Sequence, residues 1–288
     1  MTAGELMAEL AASLGARHEA RFIVEDVLGP GAGGSQIVGA ADVATIRAMA
    51  ARRHDGEPLQ YVLGHWAFRA LDLLVDGRVL IPRPETEQVV EVALGELRRS
   101  AVAAPTLVDA GTGSGAIALS LATELAVDHP GGRVWGTDTS IDALAVARCN
   151  LERVRRQHDG PILPVAFVAG CWLAGLPPEL LGVVDLIVAN PPYVAAEEWP
   201  DLQAEVRSEP RCALVAGDGS DGTPGLGDVE AVLAQAWMWL ARPGAVVIEL
   251  APQQAQAAAR MARSLGYREV RVESDLAHRP RTLVCRTV

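Results

Sequence analysis

From residue 101 onward the chain repeats one pattern. A short, almost wholly apolar run is followed by a turn, and then by a longer stretch with apolar residues at helical spacing. "TLVDA" leads to a helical stretch from Gly115 to Leu125, and "RVWGTD" to one from Ser140 to Arg156, with Ser140 placed to cap it. "PVAFVA" and "VVDLIVA" are further runs of the first kind. Asp228 to Leu240 reads as helix, "AVVIEL" as strand, Gln253 to Leu265 as helix, and "REVRVES" and "TLVCRTV" as closing strands. Apolar runs without polar alternation are strands buried on both faces. Repeated strand–helix units of this kind build a mainly parallel sheet covered by helices on both sides, an α/β fold. The seven runs give a seven-stranded sheet, and the last two, with no helix between them, make an antiparallel C-terminal edge.

The preceding residues follow other rules. Glu5 to Arg53 read as helices rich in Ala, Leu, Glu and Arg, interrupted by the loop "GPGAGGS" and closed by "HDGEP". This gives a small N-terminal helical domain over residues 1–58. Trp66, Phe68 and Leu71 to Val75 read as short strands, with Asp76-Gly77 as a turn signal. Pro82 and Pro84 stop that pattern and stiffen the chain, so residues 59–84 form a β-hairpin linker and 85–288 the sheet domain.

Composition narrows the function. The 288 residues carry a net charge of −11, and all 25 basic residues are arginine. A nucleic-acid footprint replaces counterions with positive charge, so no direct nucleic-acid partner is expected. The arginines near Arg47, Arg52 and Arg53, and those at Arg153, Arg155 and Arg156, read as solvated helix ends. No apolar run approaches the roughly 20 residues of a membrane helix, and "MTAGELMAEL" lacks the character of a secretion signal. Cys149, Cys171, Cys212 and Cys285 are scattered without metal-ligand spacing. The reading is a cytoplasmic monomer with free thiols and no metal.

"VDAGTGSGAIAL" carries the first chemical signal. Gly111, Gly113 and Gly115 let the backbone turn tightly and approach a ligand at the carboxyl end of the first strand. Alone the loop is ambiguous, because Gly111-x-Gly113-x-x-Ala116 also satisfies the relaxed dinucleotide fingerprint. Asp109, just before the first glycine, would repel a pyrophosphate but could hold a cationic group. Asp138 ends the second strand, where a carboxylate can accept both hydroxyls of a ribose. S-adenosyl-L-methionine has the ribose, a cationic amine and a sulfonium, and no phosphate.

"DLIVANPPYV" carries the second. Its strand ends at the same sheet edge, so Asn190 faces the same crevice as the glycine loop. Pro191 and Pro192 fix the backbone, and Pro191 offers only its carbonyl. With the Asn190 side-chain oxygen this makes two acceptors at a rigid spacing, suited to a planar –NH2 group. Tyr193 supplies an aromatic face for a flat substrate. Accepting both hydrogens of an amide or aromatic amino nitrogen orients it and returns electron density to it as a bond to carbon forms. No dedicated general base is assigned.

With these residues in hand the sequence resembles the HemK-type protein-(glutamine-N5) methyltransferases, which modify the glutamine of the GGQ motif in peptide-chain release factors. "GEPLQYVLG", "LIPRPETE", "DAGTGSGAIALSLA", "DTSIDALAVARCN", "DLIVANPPYV", "SEPRCAL" and "DLAHRPR" carry the resemblance in family order over nearly the whole chain. It implies a Rossmann-like class I fold dependent on S-adenosylmethionine, with S-adenosylhomocysteine as product. It further implies that Gly111, Thr112, Gly113, Ser114 and Gly115 line the methionine end of the cofactor. Asp138 would hold the ribose, Trp172 would pack near the adenine, and Asn190 to Tyr193 would grip the glutamine amide, with Asn190 also touching the cofactor. Arg83 to Glu87 would border the cofactor pocket, and the N-terminal helices would dock the release factor. Cys171 stands where the family usually has an acidic residue, and His278 and Pro280 where a glycine and a polar residue are common. The alternatives are another protein glutamine, for instance in a ribosomal protein, adenine N6 in nucleic acid, and a silent cofactor-binding module.

Overall fold

The structure is a computed structural model that describes residues 1–100 and 102–287. Ala101, where the strand–helix alternation is read to begin, and Val288, at the end of the last strand run, lie outside the described residues. The chain divides into two compact units, one of Met1–Trp66 with Gln203–Ser208, the other of Ala67–Leu202 with Glu209–Val288.

The first unit is helical: α1 (Ala3–Leu14), α2 (Arg17–Leu28), α3 (Ala40–His54) and α4 (Leu59–Leu63). Thr2 starts α1 with a capping box: its hydroxyl accepts from the Glu5 backbone, and the Glu5 carboxylate accepts from the Thr2 backbone. The apolar stripes of these helices meet in a core of Leu6, Leu10, Ile23, Val24 and Ile46. Arg53 on α3 pairs with Glu19 on α2 at 2.7 Å and with Glu205 at 3.4 Å, which joins the 203–208 segment to this unit.

A two-stranded sheet of β1 (His65–Phe68) and β2 (Leu71–Leu74) follows. The chain reverses between them at Arg69 and Ala70, with Arg69 in the left-handed region at φ 52°. Asp76-Gly77 also forms a turn, closed by the Val79 N–H on the Asp76 carbonyl, but it lies after β2. Pro84 then opens a helix, α5 (Pro84–Ser100). The sequence reading treats this proline as a stop. The first helical position suits proline, because its missing N–H would have no partner there.

The second unit continues through β3 (Thr106–Ala110), α6 (Ala116–Glu124), β4 (Arg133–Asp138), α7 (Ile141–Gln157), β5 (Val165–Ala169) and β6 (Val184–Ala189). It closes with α8 (Gly227–Trp239), β7 (Leu240–Glu249), α9 (Ala255–Ser264), β8 (Glu269–Ser274) and β9 (Pro280–Thr287). The seven strands β3–β9 lie in the order β5-β4-β3-β6-β7-β9-β8, parallel except for β9, which runs antiparallel to both neighbours. Alternate residues of each strand face opposite cores. Leu107, Leu186, Val188 and Val247 pack under α5, α6 and α7. Val108, Ile187, Ala189, Val246 and Ile248 pack under α8 and α9. No helix among the described residues is long and apolar enough to cross a membrane.

One ion cluster ties α5 to the antiparallel edge. Glu96 of α5 is 2% exposed and accepts from Arg271 of β8 and Arg286 of β9, each at 2.6 Å. Burial alone would push its pKa up, but the hydrogen bonds and charges of the two arginines reverse this and hold it below its ordinary value. The carboxylate therefore stabilises the fold above the ordinary glutamate range and loses that contribution as pH falls through the lowered pKa. We expect Glu96→Leu to cost about 3–5 kcal/mol in chemical denaturation at neutral pH, since Arg286 stays buried with only its 3.7 Å contact to the exposed Glu269 left. A loss below about 1 kcal/mol would place the pair in the class of surface salt bridges.

Candidate active site

The strand order turns about β3. The chain runs outward from β3 to β4 and β5, then returns to the other side of β3 as β6. Loops leaving β3 and β6 therefore diverge, and a crevice opens between them at the carboxyl ends of the strands. The cavity found there is lined by Gly111 and Gly113 after β3, Asp138 at the end of β4, Gly170 and Trp172 after β5, and Asn190 and Pro192 after β6.

The glycine loop is held from two sides. The N–H groups of Gly111 and Thr112 both donate to the Thr137 carbonyl, at 2.9 and 2.8 Å. Gly111 and Gly113 adopt φ values of 79° and 53°, the left-handed conformation that glycine alone takes without cost. Gly111 must also lack a side chain because a Cβ there would stand 3.0 Å from the Trp172 ring. Trp172 itself sits at φ 53°, a strained value for a bulky residue, and its indole lies over Gly111. Gly115 has a different task. It begins α6, and a Cβ there would press on Leu119, Ala147 and Phe167, so it brings helix and sheet together.

Asp109 and the loop residues Thr112 and Ser114 are buried and lie outside the cavity lining. Asp109 is fully buried and accepts from the Thr112 hydroxyl at 2.7 Å and the Ala118 N–H at 3.0 Å. Its carboxylate braces the loop against α6, and among the described residues its Oδ1 has no hydrogen-bond partner. Burial, with the charge of Asp138 adding to it, pushes its pKa up to about 7 against the pull of those two bonds. Ser114 contributes its carbonyl, which accepts from Asn150 at 2.9 Å.

Asp138, unlike Asp109, lines the cavity. One carboxylate oxygen accepts from Gly113 N at 2.9 Å and the other from Ser140 N at 2.8 Å. An ionised carboxylate has about four acceptor positions, so two remain toward the cavity it lines. Asp228 of α8 also lines the cavity, and burial raises its pKa.

Asn190 and Pro192 reach the cavity, while Pro191 is buried. The loop after β6 is fixed by the Val194 N–H on the Leu214 carbonyl, the Ala216 N–H on the Val194 carbonyl, and Gln254, whose amide donates to the Tyr193 carbonyl at 3.0 Å. The Tyr193 phenol is half-buried and pushed up to about 12, first by burial and then by the charge of Glu249, so it stays protonated. Asn190 Nδ2 donates to the Thr86 hydroxyl at 3.0 Å, which in turn donates to Glu249 at 2.7 Å. Sequence reasoning missed Thr86 and Glu249 as partners of Asn190. The available signal was a glutamate at the carboxyl end of an otherwise apolar strand run, "AVVIEL". Cys171 lines the cavity with its thiol exposed, and His278 is exposed in a left-handed turn outside it.

A glycine loop and a strand-end carboxylate with two acceptor positions to spare fit a nucleoside bearing a cationic amino-acid tail. Fold and site together define an S-adenosylmethionine-dependent methyltransferase. The chain is 40% identical over 266 residues to the release factor glutamine methyltransferase of Bordetella pertussis, covering 91% of each chain. It is 43% identical over 233 residues to that of Moorella thermoacetica, covering 80% of this chain and 75% of the relative. It belongs to the release factor glutamine methyltransferase family. Residues 5–64 match the PrmC N-terminal domain. A methyltransferase structure from Pyrococcus furiosus shares the fold with a TM-score of 0.52 at 18% identity, covering 77% of this chain and 92% of that one.

The buried loop carboxylate gives a stability test. Raising the Asp109 pKa from 3.8 to about 7 disfavours folding progressively as pH rises across that window. At about 1.4 kcal/mol per pH unit the loss is of order 4 kcal/mol, complete above pH 7. Asp109→Asn keeps an acceptor for Thr112 and Ala118 and removes this dependence. Denaturation at pH 5 and pH 7.5 should show the variant losing less stability than the wild type between the two. Parallel curves would mean that Asp109 is ionised in the fold without penalty.

Proposed function

We propose that the chain transfers a methyl group from S-adenosyl-L-methionine to the side-chain nitrogen of the glutamine in the GGQ motif of peptide-chain release factors. The products are N5-methylglutamine and S-adenosylhomocysteine. The observation that carries the reading is Asn190. Its amide nitrogen is already committed to Thr86, and its oxygen remains as an acceptor beside the cavity that Asp138 and the glycine loop line.

S-adenosylmethionine would supply an activated methyl on a sulfonium, which needs no further activation. Asp138 would hold its ribose hydroxyls with the two acceptor positions that Gly113 and Ser140 leave open. Gly111 and Gly113 admit the methionine end to the backbone, and Trp172 walls the cavity next to them. Asp109, Thr112, Ser114 and Gly115 act through the shape of the loop they brace. At the other end, Asn190 Oδ1 and the Pro191 carbonyl would each accept one hydrogen of the glutamine amide. Tyr193, kept neutral, would flank the flat group.

An amide nitrogen is a weak nucleophile because its lone pair is delocalised. Holding both hydrogens orients that lone pair in line with the methyl carbon and favours the charge that develops on nitrogen as the N–C bond forms and the C–S bond breaks. The proton then leaves to water, so no side chain serves as base. The helical unit at residues 1–66, which contains the matched N-terminal domain, is the part we assign to docking the release factor. That substrate belongs to translation termination and would place the protein in the cytoplasm.

Labelled S-adenosylmethionine tests this with purified release factor and with the same factor carrying a replaced GGQ glutamine. Transfer to the first and none to the second is expected; equal labelling of both would overturn the assignment. Two variants separate the ends of the cavity. Asn190→Ala should bind cofactor with unchanged affinity in calorimetry yet lose about 10²–10³ in turnover, as when one preorganised group is removed. Asp138→Ala should weaken cofactor binding about 10-fold or more, the worth of a charge-assisted hydrogen bond. Wild-type turnover in the first, or wild-type affinity in the second, would contradict the role given to that residue.

A further inference from the structure

Asn190 can serve as an acceptor only while its amide is held one way round. A half-turn about its last side-chain torsion exchanges Oδ1 for Nδ2, and a donor would then face the two donors of the substrate amide. A lone asparagine in an open cavity has little to prefer one orientation. Here the preference is built in from behind the loop.

The strand pattern makes it so. Val188 pairs with Val247 and Ala189 with Ile248 across β6 and β7, so Asn190 and Glu249 come one step further along adjacent strands. Ala189 and Ile248 face the α8–α9 side, so the residues that follow turn to the other face, toward α5. The first turn of α5 places Thr86 against both. Thr86 is 4% and Glu249 1% exposed, so water competes for neither. An ionised carboxylate only accepts. The Thr86 hydroxyl must therefore give it its one proton, at 2.7 Å, and is left with lone pairs toward Asn190. Those lone pairs take Nδ2, at 3.0 Å, and refuse Oδ1. Starting from the ionised carboxylate, the chain of bonds has one polarity.

We infer that Thr86 and Glu249 are positioning residues for the methyl transfer: a buried carboxylate and hydroxyl that lock the Asn190 amide with its oxygen toward the substrate. The inference rests on the role given to Asn190 above. It adds a dependence on pH. Burial pushes the Glu249 pKa up to about 7, with Glu85 acting in the same direction and Arg281 of β9 and Arg83 against it; the Tyr193 phenol also faces this carboxylate and stays neutral. Once protonated, Glu249 can donate to Thr86, whose hydroxyl is then free to donate to Asn190 Oδ1. The amide would turn its NH2 to the cavity. Turnover is therefore expected to be full above the Glu249 pKa and to fall as pH drops through it, while cofactor affinity, set at Asp138, does not follow.

The test uses the full-length enzyme and release factor. Thr86→Val keeps the side-chain shape and removes the hydroxyl. It should lower kcat about 10- to 100-fold, the worth of a hydrogen bond to a charged network, with cofactor affinity within about twofold of wild type. Thr86→Ser should recover most of the rate. In an Asp109→Asn background, which removes the other carboxylate raised to about 7, Glu249→Gln should abolish the acid limb of the kcat profile between pH 6 and 8, whatever its plateau. A second readout needs no substrate. In side-chain NMR, the Asn190 NH2 hydrogens should exchange with water more slowly in the wild type than in Thr86→Val. A Thr86→Val enzyme with wild-type kcat, a loss that serine does not rescue, or an acid limb that survives Glu249→Gln in the Asp109→Asn background would each overturn the inference. Absence of transfer by the wild type would instead sink the release-factor reading, and NMR exchange alone would then decide the lock: equal rates in the two proteins would refute it.

Discussion

The parallel pairing of β3 with β4 on one side and β6 on the other is the constraint on which the site depends. It makes β3 the point where the chain's lateral direction reverses. Four groups of the cavity wall are delivered to one edge by that pairing: the glycine loop by β3, Asp138 by β4, Trp172 from beyond β5, and Asn190 by β6. The apolar runs that build these strands thus have a chemical consequence. A one-residue slip between β6 and β7 would turn Asn190 and Glu249 to opposite faces. The connection between them would be lost without any change of sequence at the site.

Around this edge the molecule keeps two carboxylates, Asp109 and Glu249, nearly or fully out of water with pKa values raised to about 7. Among the described residues neither has an ion-pair partner, in contrast to Glu96 with its arginines. Both instead accept from a threonine hydroxyl, Thr112 and Thr86, close to a loop that must hold one shape. A buried charge costs stability, and hydrogen bonding offsets only part of it. What such a group supplies while ionised is direction, since an acceptor with no proton of its own dictates which way the neighbouring donors point.

The sequence revealed the sheet and the loops far better than the supports beneath them. The strand runs survive in the structure with ends shifted by a residue or two, except that β7 begins at Leu240, five residues before the run "AVVIEL", because Arg242, Pro243 and Gly244 break the apolar pattern there. The antiparallel edge follows from the missing helix between β8 and β9, although nothing in the sequence says that β9 lies between β7 and β8. Helix α5 was hidden because Pro84 reads equally as a stop and as a first helical residue. Asp138 and Asn190 were legible because the ends of parallel strands share one edge. Asp109 was misleading: its place before a glycine loop suggests a ligand contact, whereas strand alternation turns it inward toward Thr112 and Ala118. Thr86 and Glu249 stand far from Asn190 in the chain, and only the strand register brings the three together.

A ternary structure with S-adenosylhomocysteine and a release factor tests the central claim most directly. The GGQ glutamine nitrogen is expected about 3 Å from both Asn190 Oδ1 and the Pro191 carbonyl, with the ribose hydroxyls on Asp138. A glutamine whose carbonyl, rather than its nitrogen, meets Asn190 would contradict it.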